Sequence, residues 1–233
     1  MTTIPVAPPP PFPVTPRKDG DPEPDLMGFT LIHRALRDGA RTLADATTGI
    51  ASGAPCSRDR QRAIVQYALA VLHEITCHHE REDDVLWPVI VASAGDAVDL
   101  APLSEDHTVL HTVLARAAAA LPPFARDAGT GAPLLAPVCT ELADLLDEHI
   151  AEEEEEVFPV IRRCVSERDF ARCERAFQKG TPPGRLLFLL PWITDQCTPE
   201  ERAEVLRAAG PPLRLLLRIG EGRYTRRRDL VRG

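Results

Sequence analysis

Two thirteen-residue segments of this chain repeat one pattern of histidine, glutamate and proline. They are His78–Ile90 and His149–Ile161. In each segment a glutamate, Glu82 or Glu153, follows the first histidine after four residues, and a proline follows after ten. Residues four apart lie on one face of a helix, so each segment predicts an imidazole beside a carboxylate. Two such pairs that meet in a helical core can bind metal.

Four segments with the 3.6-residue apolar periodicity of amphipathic helices position these residues. They run from about Asp25 to Ala46, from about Ser57 past Val85, from about Leu103 to Leu121, and from about Leu134 to Cys164. A loop containing Gly53 and Pro55 ends the first segment. Pro122-Pro123 and a loop with Gly129 and Gly131 are predicted to end the third.

The repeat extends beyond the two short segments. His33 precedes His78 by 45 residues, and His107 precedes His149 by 42. Each half is therefore a helix bearing a histidine, a loop, and a helix bearing the histidine–glutamate pair. Two helical hairpins of this kind predict an all-α, up-and-down four-helix bundle.

The predicted inward faces carry seven candidate metal ligands. They are His33, His78, Glu82, His107, His111, His149 and Glu153. A set of imidazoles and carboxylates suits iron, manganese or zinc rather than calcium or magnesium. His73 and His79 point about 140° and 100° away from His78 on a helical wheel, which favours surface or supporting positions for both.

The ligand count favours two ions. Two six-coordinate irons that shared both glutamates and one bridging oxygen would each have three positions left. Five histidines would fill five of those six positions. One position would stay open for a small molecule such as O2, NO or peroxide.

The chain resembles the hemerythrin-like (HHE cation-binding) family over residues 25–164. The resemblance rests on His33, the two repeated segments, and His107 and His111 in the third helix. It implies a four-helix bundle with two iron ions, Fe2+ or Fe3+, bridged by carboxylates and an oxo or hydroxo group. Glu82 and Glu153 would be the bridges. Oxygen-carrying hemerythrins have an aspartate five residues after the fourth-helix histidine, so Glu154 is the alternative to Glu153.

The remaining sequence flanks this bundle. Residues 1–24 are rich in proline and predict an extended or disordered arm. Residues 165–233 predict short helices, because Ser166–Asp169 resembles a capping box and Thr198–Glu201 fits one better. The apolar run Leu186–Leu190 gives this extension a face to bury, and its end is rich in arginine.

Composition excludes several classes of protein. The formal net charge of −8 argues against a general nucleic-acid binder, and no apolar run is long enough for a membrane span. The start of the sequence does not resemble a secretion signal, and the six cysteines form no C-x-x-C pair, so we expect reduced thiols in the cytoplasm.

Three classes of function fit these observations. The first is binding of a diatomic ligand or peroxide for storage, sensing or scavenging. The second is a di-iron oxidase or peroxidase, including an oxidative step in a biosynthetic pathway. The third is a regulator that docks a partner through the basic end or the proline-rich arm. The oligomeric state does not follow from the sequence.

Overall fold

The chain is built from helices. The computed structural model describes residues 8–179 and 181–233, apart from the side chain of Asp96, and these residues contain no strand. The helices are α1 (Met27–Ala51), α2 (Arg58–Arg81), α3 (Trp87–Ala94), α4 (Ala101–Arg126), α5 (Ala128–Cys164), α6 (Glu167–Gln178), α7 (Pro183–Thr194), α8 (Pro199–Ala208) and α9 (Pro211–Arg232). The predicted all-α fold class is confirmed. No helix among the described residues is long and apolar enough to cross a membrane.

The chain forms two compact units. Unit 1 contains the described residues up to Leu26, Thr76–Val109, and the chain from Glu148 through α6. Unit 2 contains Met27–Ile75, Leu110–Asp147 and Thr181–Gly233. Helices α2, α4 and α5 each contribute residues to both units.

Within unit 2, ion pairs show that neighbouring long helices run antiparallel. Arg37 of α1 pairs with Asp147 of α5, and Arg41 pairs with Asp144 at 2.9 Å, so the residue number rises on one helix as it falls on the other. The side chain of Gln61 in α2 donates hydrogen bonds to two carbonyls at the end of α4. These contacts join α1 to α5 and α2 to α4, as an up-and-down bundle requires.

The connection between α4 and α5 differs from the prediction. Helix α4 continues through Pro122 and Pro123 to Arg126, and α5 begins only two residues later. The Asp127 carboxylate accepts the backbone N–H of Thr130 and caps the first turn of α5. A Cβ atom on Gly131 would overlap the backbone of Phe124. Gly131, one of the two glycines that suggested a loop, therefore allows α4 and α5 to approach closely.

Helices α7 and α9 of the C-terminal extension pack on each other and on α1. Trp192 of α7 is fully buried, and Gly39 of α1 makes room for it, because a Cβ at Gly39 would lie 2.7 Å from the indole ring. Both predicted helix starts are present. Ser166 caps α6, and Thr198 and Glu201 form a complete capping box at α8. The apolar run Leu186–Leu190 is half-buried, and its Phe188 ring contacts the buried rings of Tyr67, Trp192 and Tyr224.

The proline-rich arm forms no helix or strand over its described part, and it turns at Gly20, where the Asp21 N–H donates to the Lys18 carbonyl at 3.0 Å. In unit 1 the backbone N–H of Thr15 donates to the buried Asp169 carboxylate at 2.7 Å, and Arg17 N–H donates to the Cys164 carbonyl at 2.8 Å. The guanidinium group of Arg172 covers the Phe12 ring at 3.9 Å. Defined contacts with α6 and with the end of α5 therefore hold residues 12–17. The first seven residues of the predicted arm lie outside the described part of the chain.

Two glycines of α9 provide a matched test of the packing between α7 and α9. A Cβ at Gly220 would overlap the Leu187 carbonyl oxygen, whereas Gly222 faces open space. We expect Gly220→Ala to lower the free energy of unfolding by about 1–3 kcal/mol, because the helices must move apart. Gly222→Ala should raise it by about 1 kcal/mol through helix propensity. Chemical denaturation of both variants measures the difference, and equal effects would contradict the described packing.

Candidate metal centre

A change of helix type positions the first histidine–glutamate pair. Helix α2 ends at Arg81, and residues Glu82–Leu86 form a π-helical turn that leads directly into α3. Its closing hydrogen bond runs from the Trp87 N–H to the Glu82 carbonyl, five residues back. Pro88 has no N–H and cannot form the α-helical bond to residue 84, which favours the wider turn. Short π segments often occur at functional sites.

The second pair lies on an unbroken helix. His149 and Glu153 both belong to α5, which continues past Pro159 to Cys164. The repeated segments therefore have the same residue spacing but different backbones. His107 comes from α4 and His33 from α1. All of these side chains are buried, and Glu153 and Glu82 are completely inaccessible.

The buried donors form two groups that share one carboxylate. The first group contains His79, Glu82, His107 and His149, and the second contains His33, His78, Glu82 and Glu153. In each group, one ligand atom from every residue lies within 4.8 Å of the others. Each group is therefore compact enough to surround a single ion.

The two oxygens of Glu82 face different histidines. Oε1 lies 2.8 Å from His78 Nε2, which belongs to the second group. Oε2 lies 3.5 Å from His107 Nε2, which belongs to the first. A carboxylate that presents one oxygen to each group has the geometry of a bridge between two ions.

The nitrogens of His107 and His149 converge on one point. Their Nε2 atoms are 3.2 Å apart. Two nitrogens that are each about 2.1 Å from a metal ion and subtend roughly a right angle are separated by about 3 Å. The observed distance therefore fits two imidazoles on one ion.

Electrostatics in the metal-free protein favour uptake of a cation. Burial, with the nearby His107 as a second cause, lowers the pKa of His149 to about 4, so its imidazole is neutral at pH 7 and can donate a lone pair. Burial and the adjacent Glu82 raise the pKa of Glu153 well above its usual range. Two carboxyl groups in a dry core repel each other when ionised, and a cation between them removes that repulsion.

Six of the seven predicted ligands occur in the two groups, and the exception is His111. His111 is half-buried on α4 and lies outside both groups. His79, which the helical wheel placed off the ligand face, is instead fully buried, with its ring centroid 4.5 Å from that of His107. Glu154 is half-buried and also lies outside both groups, whereas His73 is exposed, as predicted.

Carboxylates outside the groups lie beside the Nδ1 atoms of two histidines, and the one beside His107 is within hydrogen-bond distance. Asp83 Oδ1 lies 3.0 Å from His107 Nδ1, and Asp106 Oδ2 lies 3.6 Å from His149 Nδ1. A carboxylate that accepts the Nδ1–H of an imidazole leaves the Nε2 lone pair available to a metal. The Trp87 ring lies almost parallel to the His107 ring, at an angle of 14° and with the ring centroids 6.0 Å apart. Neither Asp83 nor Asp106 was predicted from the sequence, although each is adjacent to a predicted ligand.

The orienting role of Asp83 gives a specific prediction. Asp83→Asn keeps the shape of the side chain, but its amide N–H can donate a hydrogen bond to His107 Nδ1. That contact favours the tautomer with the proton on Nε2, the nitrogen that faces the donor group. We expect metal affinity to fall by about 10–100-fold with little change in helix content. Asp84→Asn is the matched control, because Asp84 is exposed on the same turn. Competition with a chromophoric chelator measures both affinities, and equal values for the two variants would argue against the role of Asp83.

Comparison with known families agrees with this geometry. Residues 29–161 match the hemerythrin HHE cation-binding domain. The chain belongs to this family. Residues 29–161 include every residue of the two donor groups, and α6–α9 follow them in the chain. No curated protein and no solved structure gave a match to the chain.

Proposed function

We propose that this protein is a cytoplasmic, non-heme di-iron protein that binds O2, NO or peroxide at a carboxylate-bridged site. The observation that carries the proposal is the arrangement of Glu82, whose two oxygens face histidines of different groups at 2.8 and 3.5 Å. A binding role in storage, sensing or scavenging fits a site whose donors are all buried, because burial favours small ligands.

The number of donors supports two ions rather than one. The groups together supply five imidazoles and two carboxylates, and only Glu82 is common to both. One ion has six positions at most in the usual octahedral geometry, so seven donor residues exceed what it can use. A pair of ions that share Glu82 uses all of them.

Donor chemistry supports iron. Imidazole with carboxylate suits the redox-active first-row metals, whereas calcium and magnesium favour oxygen-only sites. The structure describes six free cysteines, and none of them belongs to either donor group. The donor set therefore differs from that of thiolate-rich zinc or iron–sulfur sites.

The proposed centre retains a place for an external ligand. If Glu153 also bridges and one solvent oxygen completes the bridges, each six-coordinate ion has three positions left. The five imidazoles fill five of these six, because His79 replaces the predicted His111 in the count. The position that remains accepts a diatomic molecule or peroxide.

The ligand set favours binding over demanding oxidation. Ferritin-like sites that oxidise C–H bonds use mostly carboxylates, which stabilise highly charged iron. Here imidazoles outnumber carboxylates, so the iron is less suited to that reaction. The enzymatic alternative is turnover of peroxide or oxidation of a substrate that is easier to oxidise. Titration of the iron-loaded protein distinguishes this enzymatic role from simple binding.

Titration of the iron-loaded protein tests the proposal. Full-length protein is loaded with Fe2+ without oxygen and then titrated separately with O2, NO and hydrogen peroxide while its absorption spectrum is recorded. We expect new ligand-to-metal absorption bands with about one ligand per pair of irons. An O2 adduct that disappears under vacuum supports binding, whereas rapid autoxidation with repeated consumption of peroxide supports the enzyme.

Two controls make this result specific. Glu82→Ala should fail to give the spectral change, because it lacks the shared carboxylate. His111→Ala, which alters a histidine outside both groups, should respond like the natural protein. A protein that binds two irons but shows no spectral response to any of the three ligands would refute the proposed function.

A further inference from the structure

Four arginines line a groove between α2 and α9 of unit 2. The groove has a volume of about 870 Å³, and Arg62, Gln66, Arg223, Arg226, Arg227 and Leu230 contribute to its walls. On α9 the residues at positions 223, 226, 227 and 230 follow the spacing of a single helix face. This volume is within the range of about 300–1,000 Å³ that is typical of small-molecule sites. We call this feature the arginine groove.

Three of these arginines have no acidic partner in the described part of the chain. Arg62 pairs with Asp59 at 2.8 Å, but no carboxylate among residues 8–179 and 181–233 forms an ion pair with Arg223, Arg226 or Arg227. Other basic residues of α9 are used differently. Arg228 binds Asp195 at 2.6 Å, and Arg232 binds Asp38 at 3.0 Å. The same helix therefore contains arginines that fix the fold and arginines whose charge is left for a ligand.

The unpaired arginines repel one another when no anion lies in the groove. Arg223 and Arg227 are one turn apart on α9, where like charges repel. Burial and the charge of Arg223 lower the pKa of the Arg227 guanidinium group. The chain as a whole carries a formal net charge of −8, so a general excess of basic residues does not explain this cluster. An anion in the groove would remove the repulsion.

We propose that the arginine groove binds a small ligand that carries a diphosphate group. Guanidinium groups offer paired N–H donors that match phosphate oxygens in a two-point contact. A single phosphate group carries a charge of about −1.5 to −2 at pH 7, which is less than three unpaired arginines can neutralise. Two linked phosphates match that charge, and Leu230 with the adjacent Ala63 gives an apolar surface for an organic substituent.

The dimensions of the groove favour a small ligand over a nucleic acid. Residues 223–230 extend about 10 Å along α9 at 1.5 Å per residue. Proteins that bind duplex DNA electrostatically commonly contact about 6–10 phosphates over a longer surface. Asp59 also lines the groove and would repel a continuous phosphate backbone.

Calorimetric titration with inorganic pyrophosphate tests this site. The iron-loaded, full-length protein is compared with the double variant Arg223→Gln/Arg227→Gln, and orthophosphate is the second titrant. The charge-matched control is Arg41→Gln/Arg116→Gln, whose arginines pair with acids elsewhere in unit 2. We expect pyrophosphate to bind at least about tenfold more tightly than orthophosphate, with the double variant weakened at least about tenfold and the control unchanged.

Further measurements distinguish a diphosphate site from iron chelation, from misfolding of the variant and from a macromolecular partner. Heat from chelation of iron would be equal in all three proteins, so it cannot produce the expected difference. The double variant should unfold at the same or a higher temperature than the natural protein in the absence of pyrophosphate, because it lacks the repulsion between Arg223 and Arg227. Equal pyrophosphate affinity in the double variant would overturn the proposal. Binding of a short DNA duplex, or of vesicles that contain phosphatidylglycerol, without binding of pyrophosphate would overturn it as well.

Discussion

Glu82→Ala should reduce the metal content from about two ions per chain to one or none. Glu82 is the only residue common to the two donor groups, so its removal takes a ligand from both. Loss of a tightly bound ion costs about 3–4 kcal/mol of free energy of unfolding when the metal is in large excess over its dissociation constant. Elemental analysis after gel filtration measures the metal content, and thermal unfolding measures the stability.

The metal-free proteins provide the decisive comparison for this variant. Without metal, burial raises the pKa of Glu153, and repulsion from the nearby Glu82 carboxyl group raises it further. Glu82→Ala removes this repulsion, so a chelator should destabilise the natural protein strongly and the variant very little. Glu155→Ala, which alters an exposed glutamate of α5, should behave like the natural protein. If Glu82→Ala keeps both ions, Glu82 is not a bridge.

His79→Ala should lose one ion, whereas His111→Ala should keep both. His79 is fully buried in the first donor group, with its ring centroid 5.1 Å from that of His149. His111 is half-buried and belongs to neither group. Both substitutions remove one imidazole from a helix, so their intrinsic effects on helix stability are similar.

Iron content and the absorption spectrum of the two variants measure the difference. We expect His79→Ala to bind about one iron and to lose the bands of the dinuclear centre. The reverse result, with loss of iron in His111→Ala alone, would restore the ligand set predicted from the sequence. Equal retention of iron would remove both histidines from the site.

The sequence predicted the fold because duplication leaves a regular pattern. The spacing of His78 to Glu82 repeats in His149 to Glu153, and the apolar periodicity around each pair fixes the face that is buried. These features required no knowledge of long-range contacts. The match of residues 29–161 to the hemerythrin HHE cation-binding domain confirmed the family.

The sequence could not predict the position of His79. A helical wheel places adjacent residues about 100° apart and so assigns only one of them to a given face. A helical wheel assumes that all ligands on one helix face a single position. A centre for two ions has two such positions, so adjacent residues of one helix can each face a different ion. His78 belongs to one group and His79 to the other, which accounts for both being buried.

The sequence pattern also did not predict two features of the backbone, the π segment and the continuation of α4 through two prolines. The π segment at Glu82 leaves no mark in residue periodicity, because it alters only one turn. Helix α4 continues through Pro122 and Pro123, and the Gln61 side chain donates to the carbonyls of Phe124 and Ala125 at its end. That contact joins residues more than sixty positions apart, and local rules that end a helix at proline do not include it.

The π segment occurs in only one of the two repeated segments, so the duplicated sequence does not produce a symmetrical centre. One donor group has a single carboxylate among three imidazoles, whereas the other contains both Glu82 and Glu153. Even when Glu153 is shared as a second bridge, the first group supplies three imidazoles and the second supplies two. The position left for an external ligand would therefore lie on the ion held by His33 and His78. O2, NO or peroxide would bind on that side of the proposed centre only.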